Sequence, residues 1–282
     1  MITPADVAAA GQLACLLEVS APKPGNVSPE HHFHDTRYED FLASGVAIGP
    51  ALSGAAEHPL GTTIRAAVEA TRRWTRSNTN LGIVLLLAPI ARAALRSGGS
   101  LRERLALVLK ETTVADAAQV YAAIRHAGPG GLGASSAEDV SDTPTVTLRE
   151  AMALAADRDA VAREYVTDFA LTFDVGVPAV RAGRKQGLGW TEVAVETYLT
   201  LLASTPDTHI ARKLGQAEAE AVSRRAMEVR SAGGTRSAAG RTALAALDAE
   251  LRDERNRRNP GTTADLTCAA LFVVILEGEW DR

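Results

Sequence analysis

The stretch NLGIVLLLAPIARAAL, Asn80 to Leu95, reads as an apolar helix stopped by the SGGS that runs from Ser97 to Ser100. Its core, Ile83 to Ile90 with Pro89 inside it, is far below the roughly 18 residues that a membrane span needs. Helical periodicity extends from it in both directions. Upstream, Pro4-Ala5-Asp6 opens a helix that carries Leu13, Leu16 and Leu17 on one face and ends near Ser20. Pro22, Pro24, Gly25 and Pro29 then forbid regular structure until about Asp35. A second helix runs from Thr36 through Phe41 and Ile48 towards Leu52, and Thr62 or Thr63 caps a third that ends near Trp74.

Downstream, Ser100 and Glu103 form a capping box for one or two helices. The stretch GPGGLGASSAEDVSDTPTV, beginning at Gly128, is the longest irregular one. A helix pair from Thr147 breaks near Asp157–Asp159, and WTEVAVETYLTLLAS from Trp190 makes another helix. Residues 206–234 read as one long polar helix ending at Gly233-Gly234. RSAAGRTALAALDAELRDERN and TTADLTCAALFVVILEG complete the chain, and no convincing period of two survives anywhere. The expected fold is all-α: one domain over residues 1–282, of about ten to thirteen helices.

Composition agrees. The 282 residues are 46% hydrophobic and 23% charged, a globular balance, and aromatics at 4% leave alanine to supply much of the apolar fraction. Small side chains favour close helix packing over a β-sandwich. A net charge of -4 argues against a nucleic-acid surface. Cys15 and Cys268, both inside apolar helical patterns, read as buried thiols of a reducing cytoplasm, with a disulfide as the alternative. The N-terminus has no basic region ahead of its apolar part, so it reads as a helix and not as a signal peptide. The last helix, with Trp280 beyond it, reads as a core element; a contact between copies of the chain is the alternative.

Several turn-to-helix junctions carry chemistry-bearing residues. In KPGNVS, prolines stiffen the chain and Gly25 permits positive φ, so Lys23 and Asn26 are either presented to a phosphate or simply connect helices. Three of the six histidines follow at His31, His32 and His34, before Asp35. Zinc is one reading, but adjacent His31 and His32 rarely aim at one ion and no further Cys or His pair completes a set. His34 instead offers an acid or base, and Asp35 a hard oxygen for magnesium. In SNTNLG, Asn78 and Asn80 precede the apolar helix, either as N-caps or beside an anionic oxygen. GPGGLG is neither a Walker loop nor a dinucleotide fingerprint. Arg255, Arg257 and Arg258 gather positive charge before Asn259-Pro260-Gly261, and Asp265 falls in the expected first turn of the last helix. Asp207 is a cap candidate, and His209 and Arg212 share a helix face.

Taken in order, KPGNV with His34-Asp35, NTNLG, and NPGTTADL resemble the motifs of the triphosphoribosyl-dephospho-CoA synthase family. That family's pattern has a Lys-Pro-Gly turn followed by His and Asp, an Asn-Thr-His-Lys-Gly segment, and a Ser-Pro-Gly-Gly-Ser-Ala-Asp-Leu segment. The resemblance covers the chain nearly end to end. It implies a cytoplasmic all-α transferase with a central nucleotide-binding cleft. Such an enzyme joins ATP to 3′-dephospho-CoA, with release of adenine, to make the precursor of an acyl-carrier prosthetic group. Asn80-Leu81 stands where the family has His-Lys, and Asn259 and Thr262 replace its Ser and Gly. A different acceptor, such as a methanopterin-type pterin, a nucleotide- or CoA-binding protein without catalysis, and a nucleotide hydrolase are the alternatives.

Breaking a glycosidic C–N bond builds oxocarbenium character, so polar or anionic groups are needed at the anomeric carbon and cations at the triphosphate. Because all lie at turn-to-helix junctions where distant segments can converge, His34, Asp35 and Asp265 are expected to be catalytic, and Asp35 and Asp265, with Asp207 as a third candidate, to be ligands of Mg2+. Lys23, Gly25, Asn26, Asn78, Asn80, Gly82, Arg257, Arg258, Gly261 and Thr262 are expected around the nucleotide.

Overall fold

The computed structural model describes residues 2–129 and 138–280. The GPGGLG stretch from Gly130 onward lies outside them. The fold is all-α: among the described residues there are fifteen α-helices and no strand, the nearest approach being an isolated bridge between Ser28 and His31. The chain divides into two compact units, one of residues 1–15 and 39–170, the other of residues 16–38 and 171–282.

The first unit contains most of α1 (Pro4–Ser20), then α2 (Tyr38–Ala47), α3 (Gly49–Ser53), α4 (Leu60–Arg72), α5 (Leu81–Ala94), α6 (Leu101–Lys110), α7 (Val114–Ala127), α8 (Leu148–Ala155) and α9 (Ala160–Val166). Helix α5 is apolar all round and is buried on nearly every side, as such a sequence must be. It packs against α3, α4, α6 and α9. Pro89 sits inside it without ending it, and Tyr165 donates its hydroxyl to the Leu85 carbonyl that Pro89, lacking an N–H, cannot satisfy.

The second unit is built from α10 (Val177–Lys185), α11 (Trp190–Ser204), α12 (Thr208–Leu214), α13 (Gln216–Ser231), α14 (Ala238–Leu251) and α15 (Gly261–Leu276), preceded by a π-turn over Leu171–Gly176. Its central helix is α15, buried from Thr262 to Val274 save for Asp265 and packed against α10, α11, α12 and the π-turn. The last helix is therefore a core element of its unit. Trp280, just beyond it, stacks on Trp190 at 4.8 Å, with the Arg184 guanidinium over the Trp190 ring.

Most expected elements are present, including the Ser100–Glu103 capping box. Three differ. The polar stretch 206–234 is two helices, α12 and α13, because Gly215 adopts φ +95° and breaks the ladder between them. Helix α4 starts at Leu60, before Thr62, because a distant group serves its start: the Asp116 carboxylate of α7 accepts from the Gly61 N–H at 2.8 Å. The helix expected over 36–52 is interrupted, with α2 and α3 separated at Ile48.

The crossing of α4 on α7 is close. A Cβ at Gly61 would stand 2.5 Å from the Asp116 carbonyl oxygen. Gly61→Ala is expected to lower unfolding free energy by about 1–3 kcal/mol in urea titration, because a backbone and not a flexible side chain must move. Unchanged stability would refute the close crossing.

Candidate active site

The Lys-Pro-Gly-Asn turn faces inward. Lys23 is buried, and its ammonium donates to the Glu18 carboxylate at 2.8 Å, to the Glu18 carbonyl, and to the Ala21 carbonyl at 3.2 Å. Those three bonds exhaust its donors. The expectation that Lys23 meets a phosphate is corrected accordingly: the residue closes the C-terminal end of α1, and its charge is neutralised by Glu18. Gly25, at φ +72°, gives its N–H to Asp248 of α14 at 2.8 Å. A Cβ there would come within 2.9 Å of Leu251. Asn26 is likewise spent within the protein, donating its amide to the Pro24 carbonyl and the Tyr198 hydroxyl, while Arg252 donates to its carbonyl. Burial raises the Tyr198 phenol well above its ordinary range, so it stays a neutral donor, bonded to the Pro24 carbonyl at 2.8 Å.

The three clustered histidines divide their work. His31 pairs its backbone with Ser28 across a tight turn. His32 accepts the Tyr38 N–H on Nδ1 at 3.1 Å, at the start of α2. Only His34 reaches a later segment: its Nδ1 lies 3.2 Å from the Asn256 amide, and its Nε2 lies 3.8 Å from Asp35. Both His34 and Asp35 are exposed. Asn256 holds φ +50°, a left-handed turn position that asparagine tolerates.

The start of α12 is joined to the start of α15 by one carboxylate. Asp207 is buried, and one of its oxygens accepts the N–H groups of His209 and Ile210, capping its own helix. The other accepts the N–H and hydroxyl of Thr263, each at 2.7 Å. Helix α15 has no side-chain cap of its own, so Asp207 supplies it. Burial raises the Asp207 carboxyl, and the hydrogen bonds from Thr263, Ile210 and His209 only partly offset this, leaving it above the usual aspartate range. Two further bonds fasten the same junction: Thr208 to Thr262 between hydroxyls, and His209 Nδ1 to the Asn259 carbonyl, both at 3.1 Å. The His209 ring also lies against Gly261, where a Cβ would meet Nδ1 at 2.8 Å.

Around this junction the arginines differ in freedom. Arg258 is held by Glu218 at 2.8 Å and by the Glu250 carbonyl. Arg257 is more exposed and stands 3.7 Å from Asp253. Burial pushes the Asp253 carboxyl up, but the N–H groups of Arg257 and Arg255 more than offset this, and it lies below the usual range. Asp265 lies past the first turn of α15, contrary to the expectation, because the helix begins at Gly261. Two groups stand outside the expected set of site residues. Lys213, half-buried at the end of α12, is influenced by Asp253, Asp35 and Asp207. The Asn259 side-chain oxygen is buried without a hydrogen-bond partner among the described residues.

Asn78, Asn80 and Gly82 belong to the first unit. Asn78 accepts the Leu81 N–H, a local turn at the start of α5. Asn80 is buried and donates its amide to the Thr71 hydroxyl at 3.0 Å and the Ser44 carbonyl at 3.4 Å, tying α5 to α4 and α2. Its side chain is a packing device there, so the expectation of a bond to ribose or phosphate is corrected. Gly82 is the second residue of α5.

The expected magnesium ligands do not fit as a set. All of Asp207's bonding goes to two helix starts, and among the described residues no three His, Cys, Asp or Glu side chains gather closely enough to hold a metal.

Comparison with known proteins follows from this geometry. Residues 4–282 match the family model described as ATP:dephospho-CoA triphosphoribosyl transferase. A 2-(5''-triphosphoribosyl)-3'-dephosphocoenzyme-A synthase of Klebsiella pneumoniae is 33% identical over 99 residues, 35% of each chain. A probable enzyme of the same name from Stutzerimonas stutzeri strain A1501 is 32% identical over 105 residues, 37% of this chain and 36% of the relative. The aligned stretch thus spans about a third of the length of these curated relatives. A crystal structure from Archaeoglobus fulgidus, named as a candidate triphosphoribosyl-dephospho-CoA synthase, superposes with a TM-score of 0.65 at 26% identity, covering 84% of this chain and 99% of that one.

The Asp207 junction is directly testable. Asp207→Asn puts an amide NH2 against one of the two helix starts and is expected to cost about 2 kcal/mol or more of unfolding free energy. The folded carboxyl lies above its unfolded value, so its stabilising contribution is complete below the ordinary aspartate range. That contribution is lost as pH rises through the raised value. The stability advantage of wild type over Asp207→Asn, measured by urea unfolding, should therefore narrow as pH rises across that window. A difference that widens would contradict the burial-dominated carboxyl.

Proposed function

The chain belongs to the ATP:dephospho-CoA triphosphoribosyl transferase family, and from that premise we propose that it transfers the triphosphoribosyl group of ATP to a ribose hydroxyl of 3′-dephospho-CoA. Adenine is the leaving group, and the product is the precursor of an acyl-carrier prosthetic group. The family match runs through both units, which supports reading residues 1–282 as one catalytic domain. One observation in the second unit carries the assignment of chemistry. Three bends distant in sequence meet there: His34 faces Asn256, and Asp207 joins the start of α12 to that of α15.

In this reading the acceptor oxygen forms its bond to the anomeric carbon as the C–N bond to adenine breaks. The hydroxyl proton passes to Nε2 of His34, whose ring is accessible, with Nδ1 against the Asn256 side chain and Asp35 3.8 Å from Nε2. The departing adenine takes a proton from water as it leaves, and His34 returns the hydroxyl proton to water afterwards, so that protons balance. Positive charge building on the ribose is balanced by carboxylates, a part this reading gives to Asp35 and Asp265. Asn259 offers an unfilled acceptor to a sugar hydroxyl, and Arg257, exposed and only loosely paired, would meet a phosphate. Thr262, Gly261 and Gly25 act by shaping the bends. Magnesium accompanying the triphosphate would have to be held by a donor set other than the expected three aspartates.

With ATP and 3′-dephospho-CoA, purified protein should release adenine, followed by chromatography, and form a product carrying the triphosphoribosyl group. Asp35→Asn and Asp265→Asn are each expected to reduce turnover by about a hundredfold or more with unchanged unfolding midpoints. Wild-type rates in both variants would remove them from the reaction. Adenine released equally without any acceptor would indicate a hydrolase. Saturable ATP binding without product would indicate a sensor.

A further inference from the structure

We propose that Lys213 is the ammonium that receives the substrate's phosphate chain, the part that the Lys-Pro-Gly turn suggested for Lys23. The proposal rests on the transferase reading for its substrate but stands on the geometry of the second unit. The two lysines are opposites. Lys23 is fully buried and its three donors are all bonded. Lys213 is half-buried, projects from the last turn of α12, and takes part in no hydrogen bond or ion pair among the described residues.

The groups facing Lys213 explain why it is left open. On its own helix Arg212 repels it. From the loop before α15, Asp253 attracts it, but that carboxylate already accepts the N–H groups of Arg255 and Arg257. From the His34 loop, Asp35 attracts it without contact. Asp207, at the far end of α12, contributes a charge whose bonds are spent on two helix starts. The ammonium is thus partly stripped of water, and burial lowers its proton affinity. A half-buried cation lacking a direct partner carries an unmet desolvation cost, which a multiply charged anion would offset with charge-assisted hydrogen bonds.

An adjoining feature gives the ligand its length. Arg257, exposed and only loosely paired at 3.7 Å with Asp253, is drawn by the same carboxylate whose charge acts on Lys213. Two cations answering to one already-bonded carboxylate suit a linear chain of phosphates better than a single carboxylate ligand. The chemical class is therefore a polyphosphate, as in a nucleoside triphosphate. The bland reading of a lysine at a helix end is that it complements the helix dipole. That role requires no burial, and it predicts a lowered unfolding midpoint, not a loss of anion binding, when the charge is removed.

The test uses the full chain and inorganic tripolyphosphate, titrated calorimetrically into wild type, Lys213→Met and Lys213→Arg. Adenine release from ATP with 3′-dephospho-CoA is measured alongside. Tripolyphosphate should bind wild type, about tenfold or more weaker to the Met variant and within about threefold for the Arg variant, with unfolding midpoints unchanged. Equal binding to wild type and Lys213→Met, or none to wild type, overturns the proposal. Lys213-dependent binding without adenine release would leave the phosphate site standing and remove the transferase reading. Adenine release that is the same in wild type and Lys213→Met would do the reverse.

Discussion

The second unit depends on a single buried carboxylate. Two helices begin at the same place in space, α12 at Thr208 and α15 at Gly261, and each begins with unsatisfied N–H groups. A helix start buried without acceptors would be expensive, and Asp207 supplies both from one side chain. The cost is a carboxylate removed from water, visible in its raised proton affinity. The gain is more than two caps. Because one rigid group serves both helices, their relative position is fixed, and with it the segment 253–260 that leads into α15. The Thr208–Thr262 and His209–Asn259 bonds then follow as consequences of that register.

The Lys-Pro-Gly-Asn turn is the matching constraint on the other side of the site. Its two polar side chains point into the protein, where Glu18 answers Lys23 and Tyr198 answers Asn26, while Asp248 and Arg252 bond the backbone of the turn. Breaking the buried Lys23–Glu18 pair would strand a charge, which is far more destabilising than removing a surface pair. The turn therefore behaves as a fixed hinge post from which the His31–Asp35 loop departs, and the exposed His34 inherits its position from that post.

How much of this could be read from the sequence follows the range of the interactions involved. Helix α1 and the Ser100–Glu103 box were legible because their causes lie within a few residues. The start of α4 was not, because Asp116 serves it from 55 positions away. The break at Gly215 hid inside a polar stretch whose composition is helical on either side. The same rule governs the site. Asp207 was visible as a cap, yet its second role needs Thr263, and the motifs alone offered metal binding instead. Lys213 carries no motif at all. What distinguishes it is the lack of a partner among the described residues, and that is a property of three dimensions only.

The motifs that carry the family resemblance therefore do a different job from the one their residue types suggest. Lys23, Asn26, Asn80 and Thr262 are joints: each is a polar group whose bonds close on neighbouring helices. The same motifs also carry His34, Asp35, Asn259 and Asp265, and in the proposed reading the chemistry falls to these together with Arg257 and Lys213. This division resolves the loss of a basic residue at Leu81. If the charge that meets the phosphates were a motif lysine, its replacement would leave the anion unmet. If the charge stands instead at the end of α12, a helix held in place by Asp207, the motif can vary while the electrostatic requirement of a polyphosphate substrate is still satisfied.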